Sequence, residues 1–155
     1  MSDQSEHYEQ PEQPDPVHVL HPTECWEFLR DREFGRLAFH LVGEVHITPI
    51  NYAVDRERIL FLTSEGNKLL GVTMNEDVAF EVDEVGEDTA VSVVARGRAR
   101  HLEGQERYIV ESLPLRPWVD YPKYQVVAIT VTEITGRRFD LSRPWLHDRV
   151  DPANA

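Results

Sequence analysis

A polar loop that follows an apolar run is the stretch of this sequence best suited to bind an anion. The run ILFLT (residues 59–63) leads into SEGNK (residues 64–68) and then into an apolar segment that predicts a short helix, Leu69–Asn75. Free N–H groups in a first helical turn favour an anion, and Gly66 would let the backbone approach a ligand closely. The hydrogen-bonding and charged side chains of this region are Thr63, Ser64, Asn67 and Lys68. The loop is therefore a candidate phosphate site, with an ordinary strand-to-helix turn as the alternative.

Short apolar runs with alternating polar positions predict the strands that must position this loop. The predicted strands are Arg36–Val42, Val45–Val54, Ile59–Thr63, Val78–Asp83, Ala90–Leu102 and Gln125–Thr132. Helices are predicted over Glu24–Arg32, with Thr23 as its N-cap, and over Glu103–Leu113. Gly97 in the middle of a strand indicates a bulge or a close backbone approach. Many short strands with few helices favour a mainly β fold, an antiparallel β-barrel.

Length, charge and cysteine content limit the class of protein. A chain of 155 residues fits one domain, and its formal net charge of −12 argues against nucleic acid or an anionic membrane as a partner. The single cysteine, Cys25, allows no internal disulfide and is interpreted as a buried structural residue. No signal-peptide pattern or long apolar run is present, so we expect a cytoplasmic protein. We predict a disordered acidic tail over residues 1–18, a folded domain over 19–141 and a C-terminal tail over 142–155.

The sequence signatures of several enzyme classes are missing. There is no Walker A pattern, no G-x-G-x-x-G, no G-x-S-x-G and no H-E-x-x-H. The predicted hairpin makes His40 and His46 face each other, but no third ligand follows in local spacing, so we interpret them as surface residues and predict no metal site. No side chain is predicted to be catalytic. A bound cofactor that carries the reaction would explain this absence.

Five segments, taken in order, resemble the pyridoxamine-phosphate-oxidase-like flavoproteins, a family of split-barrel fold. The segments are GRLAF, HITPINYAVD, ILFLTSEGNKL, VAFEVDEV and SVVARGRARHL, and the similarity spans residues 22–140 or so. The resemblance implies an FMN-binding split barrel with antiparallel, Greek-key-like strands. It also implies a homodimer that binds its cofactor at the interface and acts on a small molecule.

Carried over residue by residue, the resemblance assigns the candidate cofactor-binding positions. The strand that would contact the flavin ring falls on Ile47, Thr48, Pro49, Ile50, Asn51 and Tyr52. The phosphate-binding part falls on Leu62, Thr63, Ser64, Asn67 and Lys68. Ser92 matches a position that reaches across from the partner subunit, and Trp118 and Arg137 match late positions that cover the cofactor. Pro49 has no N–H to donate, so it predicts a strand edge or a break in the ladder beside the ligand.

The sequence also departs from the true pyridoxamine phosphate oxidases. Asn67-Lys68 stands where they have Arg-Lys, so one positive charge is missing, and Val91 replaces a tryptophan common in close relatives. The run WLHDR (residues 145–149) lies too near the C-terminus to match their substrate-binding segment. We therefore do not expect oxidation of vitamin B6.

Two classes of function fit this pattern. The first is an FMN-dependent oxidoreductase that acts on an unidentified small molecule by hydride transfer at the flavin, with protons from solvent, Tyr52 or His46. A variant uses the deazaflavin F420, whose acidic tail would lie along Arg96, Arg98 and Arg100, although a solvated arginine ladder paired with acids is the preferred interpretation. The second class is a non-enzymatic flavin- or haem-binding protein, which the absence of a catalytic residue fits equally well.

Overall fold

Seven strands and one α-helix account for most of the described chain. The structure is a computed structural model that describes residues 12–64, 77–120 and 123–146. Its strands are β1 (Val17–Val19), β2 (Phe34–Leu41), β3 (Glu44–Asp55), β4 (Arg58–Ser64), β5 (Asp77–Val85), β6 (Thr89–Leu102) and β7 (Tyr124–Asp140). The α-helix is α1 (Pro22–Arg30), and two 3₁₀ helices span Gly104–Ser112 and Pro144–Leu146.

All strand pairs are antiparallel, and the sheet closes on itself. The strands lie in the order β1-β7-β4-β3-β2-β5-β6, and β6 returns to pair with β7. The predicted mainly β fold is confirmed, and the closed sheet is a split barrel. The short strand β1 was not predicted: it pairs with the end of β7, Val17 opposite Phe139, and begins inside the segment predicted as a tail.

Alternating apolar residues fill the barrel, and α1 closes one end. Leu37, Phe80 and Val93 are completely buried inside, as the period-two pattern predicts. Cys25 and Leu29 of α1 are also completely buried in this core. The predicted N-cap was wrong: His21 caps the helix, its ring accepting from the Thr23 N–H while the Glu24 carboxylate accepts from the His21 N–H. Such a reciprocal pair satisfies two N–H groups at the start of the helix.

The strand β7 contains a bulge and extends further than its alternation of apolar and polar residues suggests. Arg96 pairs with Glu133 but Gly97 pairs with Val131, so Thr132 is an extra residue on β7. Core-facing positions are odd-numbered before this residue, ending at Val131, and even-numbered after it, beginning at Ile134. The strand was predicted to end at Thr132, and it continues to Asp140. Of the two features predicted at Gly97, the close backbone approach is confirmed, and the bulge lies opposite it on β7.

The segment predicted as a helix over Glu103–Leu113 is instead a 3₁₀ helix, Gly104–Ser112. Tyr108 in this segment is exposed. The segment and the loop after it cover a second, smaller core on the outer side of the barrel. That core contains Ala53, Leu60, Leu102, Leu115, Val126 and Ala128.

Part of the predicted phosphate loop lies outside the described residues. This applies to Asn67, Lys68 and the predicted helix Leu69–Asn75. Across the three described ranges, no helix is both long and apolar enough to cross a membrane.

Candidate functional site

A cleft opens where β3 and β4 separate. The two strands pair only from Tyr52 opposite Phe61 to Asp55 opposite Arg58. Beyond that point, residues 48–51 of β3 pair with β2, and residues 62–64 of β4 pair with β7. The two diverging edges leave a cleft of about 330 Å³. This volume lies at the lower end of the range typical of small-molecule sites.

The cleft brings together most of the described residues that were predicted to contact a cofactor. Its lining residues are Phe34, Thr48, Pro49, Ile50, Asn51, Leu62, Thr63, Ser64, Pro117, Trp118, Val119 and Tyr124. Eight of these carry predicted roles: Thr48, Pro49, Ile50, Asn51, Leu62, Thr63, Ser64 and Trp118. Pro49 sits on the part of β3 that pairs with β2 alone, as expected of a strand edge.

One wall of the cleft is flat and aromatic. The rings of Phe34 and Trp118 are stacked, with centroids 4.9 Å apart and planes 5° from parallel. Phe34 opens β2 opposite Asn51, and the Asn51 side-chain amide donates to the Arg116 carbonyl at 2.6 Å. On the other side of the loop, the Tyr124 hydroxyl donates to the Val119 carbonyl at 2.6 Å. These bonds hold the loop that carries Trp118 over the end of the cleft.

The opposite side of the cleft is polar. Thr63 and Ser64 end β4, and they pair with Gln125 and Tyr124 of β7. Thr63 is buried, and Ser64 is half-buried. The cleft thus has an aromatic wall, a free strand edge with backbone donors and acceptors, and hydroxyl groups where the predicted phosphate loop begins.

Two residues of the predicted ring-contacting strand point elsewhere. Ile47 is exposed and does not line the cleft. Tyr52 lies in the barrel core, where its hydroxyl donates to the Leu29 carbonyl at 2.7 Å and its ring meets Phe80 edge-on. Burial raises the pKa of the Tyr52 hydroxyl above its ordinary range, so this group is poorly placed to deliver protons to the cleft.

The predicted pairing of His40 with His46 does not form. The hairpin turns at Val42 and Gly43, both with positive φ, rather than at Gly43 and Glu44. His46 therefore lies opposite Phe39 and stacks on its ring, with centroids 5.5 Å apart, while His40 lies opposite Val45. In the described ranges, no group of three His, Cys, Asp or Glu side chains is close enough to hold a metal ion.

Ser92 and Arg137 lie beside each other but away from the cleft. They are register partners on β6 and β7, whereas Tyr124 at the cleft is at the other end of β7. Within one chain neither residue lines the cleft.

Ser92 adjoins a cluster of charged side chains on the outer face of the barrel. Arg36 bridges Glu81 at 2.7 Å and Asp83 at 2.6 Å, and the Ser92 hydroxyl lies 3.5 Å from Glu81. Burial, reinforced by Asp83, raises the pKa of Glu81. The hydrogen bond from Glu81 lowers the pKa of Asp83, with further help from Arg36. Of the two carboxylates, Glu81 therefore holds a proton more tightly than Asp83.

The arginines considered for an F420 tail lie outside the cleft. Arg100 pairs with Glu106 at 3.0 Å, and Arg98 lies 3.9 Å from Asp77. The hydrogen bond from Arg100 lowers the pKa of Glu106. For Arg98 and Arg100 this agrees with the preferred interpretation, a solvated arginine ladder paired with acids. Cys25 is buried as predicted, and burial raises the pKa of its thiol.

Four lining residues were not predicted: Phe34, Pro117, Val119 and Tyr124. Phe34 could have been found, because a hairpin turning at Val42 and Gly43 fixes it opposite Asn51. The role of Tyr124 could not have been found in this way. Its position depends on the pairing of β7 with β4, and these strands are far apart in the chain.

The closed six-stranded ring with a cleft between two diverging strands defines a class of split-barrel proteins, and the sequence assigns the family. Residues 21–138 match the pyridoxamine 5'-phosphate oxidase family. The chain belongs to that family. No match was found among curated proteins.

Solved structures with similar folds agree with this assignment. A provisionally named pyridoxamine 5'-phosphate oxidase from Corynebacterium glutamicum is 36% identical, with a TM-score of 0.74 over 84% of this chain and 99% of that one. The FAD binding protein from Mycobacterium smegmatis is 35% identical, with a TM-score of 0.74 over 81% of this chain and 100% of that one. A Corynebacterium diphtheriae protein of unknown function is 35% identical, with a TM-score of 0.70 over 81% and 99% of the two chains.

Proposed function

We propose that this chain is a flavin-dependent oxidoreductase that binds the flavin mononucleotide part of its cofactor in the cleft between β3 and β4. The observation that carries the proposal is the divergence of these strands, which leaves a free strand edge facing a flat aromatic wall. The 35% identical Mycobacterium smegmatis relative, an FAD binding protein, supports the flavin class.

The residues present fit a flavin. A flat heterocycle with hydrogen-bonding edges needs apolar walls on its faces and backbone groups at its rim. The stacked Phe34 and Trp118 and the side chains of Ile50 and Leu62 supply apolar surface, and residues 48–51 supply backbone groups. Ser64 is placed where a phosphate would meet the start of the polar loop.

The division of work in this proposal is simple. A bound flavin supplies the hydride chemistry, so the protein has to bind, orient and shield it. The loop carrying Trp118, held by the bonds of Asn51 and Tyr124, covers the cleft and limits the access of water. The substrate is an unidentified small molecule, and solvent is the proton source that fits best because Tyr52 is buried away from the cleft.

A second candidate is a flavin-binding protein without enzymatic activity. One observation favours it: the described lining residues of the cleft include no carboxylate, imidazole or amine, and only Tyr124 carries an ionisable side chain. Reduction of the bound flavin by a nicotinamide donor, followed by reoxidation, would decide for the enzyme. Tight flavin binding with no reduction would decide for the second candidate.

The first experiment is a titration with FMN, followed through the absorbance and fluorescence of the flavin. We expect binding at micromolar concentration with quenched fluorescence, and weaker binding in Lys68→Ala if the polar loop holds the phosphate. If neither FMN nor FAD binds, the proposal is wrong, and F420 and then haem are the next ligands to titrate.

Trp118→Ala should weaken flavin binding about fivefold, because removing one stacking partner loses about 1 kcal/mol. Its matched control is Trp145→Ala, since Trp145 is equally large, is exposed, and lies outside the cleft. The dissociation constants from the same fluorescence titration check this expectation. Equal losses in the two variants would argue against Trp118 as a wall of the flavin site.

We also propose that the protein is a homodimer in which Ser92 and Arg137 of one subunit complete the cleft of the other. Arg137→Ala should then weaken flavin binding about fivefold although the residue does not line its own cleft, a loss in line with one partly exposed charged hydrogen bond. Arg138→Ala is the control, because Arg138 is the next residue, points to the opposite side of β7 and is also exposed.

Sedimentation should give twice the mass of 17.9 kDa. A monomer that binds flavin with no response to Arg137→Ala would remove this part of the proposal.

A further inference from the structure

A row of register partners connects the cleft with the charged cluster on the outer face of the barrel. Pro49, which lines the cleft, pairs with Arg36 of β2, and Arg36 pairs with Glu81 of β5. The core-facing residues of these strands have the opposite parity, so the three side chains share the outer face. Adjacent strands are about 4.8 Å apart, which places Glu81 within roughly 10 Å of the edge of the cleft.

One guanidinium in this cluster serves two carboxylates. Arg36 Nη2 lies 2.7 Å from Glu81 Oε2 and 2.6 Å from Asp83 Oδ2. Two negative charges therefore face one positive charge, and the binding of one proton makes the cluster neutral. Burial, the hydrogen bond to Asp83 and the Asp83 charge raise the pKa of Glu81, against the effect of Arg36. Glu81 is therefore the group that takes the proton.

The other polar and charged groups near Glu81 on this face lie on β6 and β7. They are Ser92, whose hydroxyl lies 3.5 Å from Glu81, Arg96, which pairs with Ala79, and Arg137, which pairs with Ser92. Arginine stays charged over the whole range in which a carboxylate titrates. A change in the charge of this face with pH therefore comes from Glu81 and Asp83.

We propose that the Glu81–Asp83 pair takes up a proton when a flavin bound in the cleft is reduced, so that reduction becomes easier as the pH falls. The inference rests on the proposed flavin site, and it applies to an enzyme and to a non-enzymatic flavin-binding protein alike. A donor that delivers a hydride brings two electrons and one proton, which leaves one negative charge on the flavin ring. Glu81 binds a further proton from solvent, and this offsets the added charge.

The distance and the burial set the size of the coupling. Negative charge on the ring opposes the ionisation of a carboxylate roughly 10 Å away, and the ionised carboxylate in turn opposes reduction. Only 26% of the Glu81 side chain is exposed, which limits screening by solvent and salt. At low ionic strength we expect ionised Glu81 to lower the equilibrium ratio of reduced to oxidised flavin about threefold.

The test measures this ratio in the full chain loaded with FMN, by anaerobic reduction with dithionite against a redox dye of known potential. At about pH 8, Glu81→Gln should raise the ratio about threefold, because it removes the negative charge. The difference should vanish as the pH falls below the pKa of Glu81 in the oxidised protein, where both side chains are neutral. Asp83→Asn should also ease reduction at about pH 8, and high salt should reduce both effects.

Glu84→Gln is the matched control. Glu84 is also a glutamate of β5, but it pairs with Arg32 at 2.8 Å and points to the other side of the strand. We expect it to leave the ratio unchanged at every pH.

The outcomes separate this inference from the proposed function. Equal ratios in the unchanged protein and in Glu81→Gln at every pH would overturn the inference and leave the flavin site intact. A shift by the same factor at every pH would also overturn it, because the side chain would then act through structure and not through its charge. Failure of FMN to bind the unchanged protein would overturn the proposed FMN site as well.

Discussion

Replacing Gly97 by alanine is expected to lower the free energy of unfolding by about 3 kcal/mol or more, because no room exists for a side chain at this position. A Cβ atom there would lie 2.0 Å from the Thr130 carbonyl oxygen and 3.0 Å from the Val131 Cα. Both atoms belong to the backbone of β7, so the clash cannot be relieved by turning a side chain. Urea unfolding of the two proteins, followed by far-UV circular dichroism, measures the difference.

Gly86→Ala is the matched control for this substitution. A Cβ at Gly86 would lie 3.1 Å from the Thr89 carbonyl in an exposed turn, where small shifts can relieve the contact. We expect a loss below about 1 kcal/mol for it. Similar losses at Gly97 and Gly86 would mean that β6 and β7 do not approach as closely as the bulge at Thr132 requires.

Replacing Tyr52 by alanine is expected to lower the free energy of unfolding by about 3–5 kcal/mol, because it empties a large volume in the barrel core. Only 1% of the Tyr52 side chain is exposed, and it joins β3 to α1 through its bond to the Leu29 carbonyl. Tyr52→Phe keeps the ring and removes only that hydroxyl, so its loss should be about 1–2 kcal/mol. Thermal and urea unfolding of the three proteins would check this order.

The same phenylalanine variant tests where Tyr52 acts. Because the hydroxyl is turned away from the cleft, Tyr52→Phe should bind FMN and FAD with unchanged affinity and be reduced at an unchanged rate. A variant that is stable but no longer binds or reduces flavin would contradict the position of Tyr52 in the core. It would restore the alternative that this residue serves the cofactor directly.

Most of the fold could be read from alternation, because burial on one face imposes a period of two along a strand. The main errors have local causes. The predicted end of β7 was too early because the extra residue Thr132 changes which positions, odd or even, face the core. The 3₁₀ segment after β6 was predicted as a regular helix although few of its side chains are packed. The capping role of His21 was missed because histidine is an unusual N-cap.

The site was harder to predict, because it lies at a strand edge rather than on a strand face. A ligand at an edge meets the backbone of successive residues, so Thr48, Pro49, Ile50 and Asn51 all line the cleft regardless of alternation. The two residues that flank this run were also predicted to contact the flavin, but Ile47 is exposed to solvent and Tyr52 lies in the core.

The sequence by itself determined most of the strands, the glycine beside the bulge, the buried Cys25 and the polar end of β4, because each depends on residues close together in the chain. Only the tertiary structure decided where β3 leaves β4, that Tyr124 lies opposite Ser64, and that Ser92 lies opposite Arg137. These features depend on which distant strands pair and in which register. That choice is made by the packing of the whole barrel, and no local pattern encodes it.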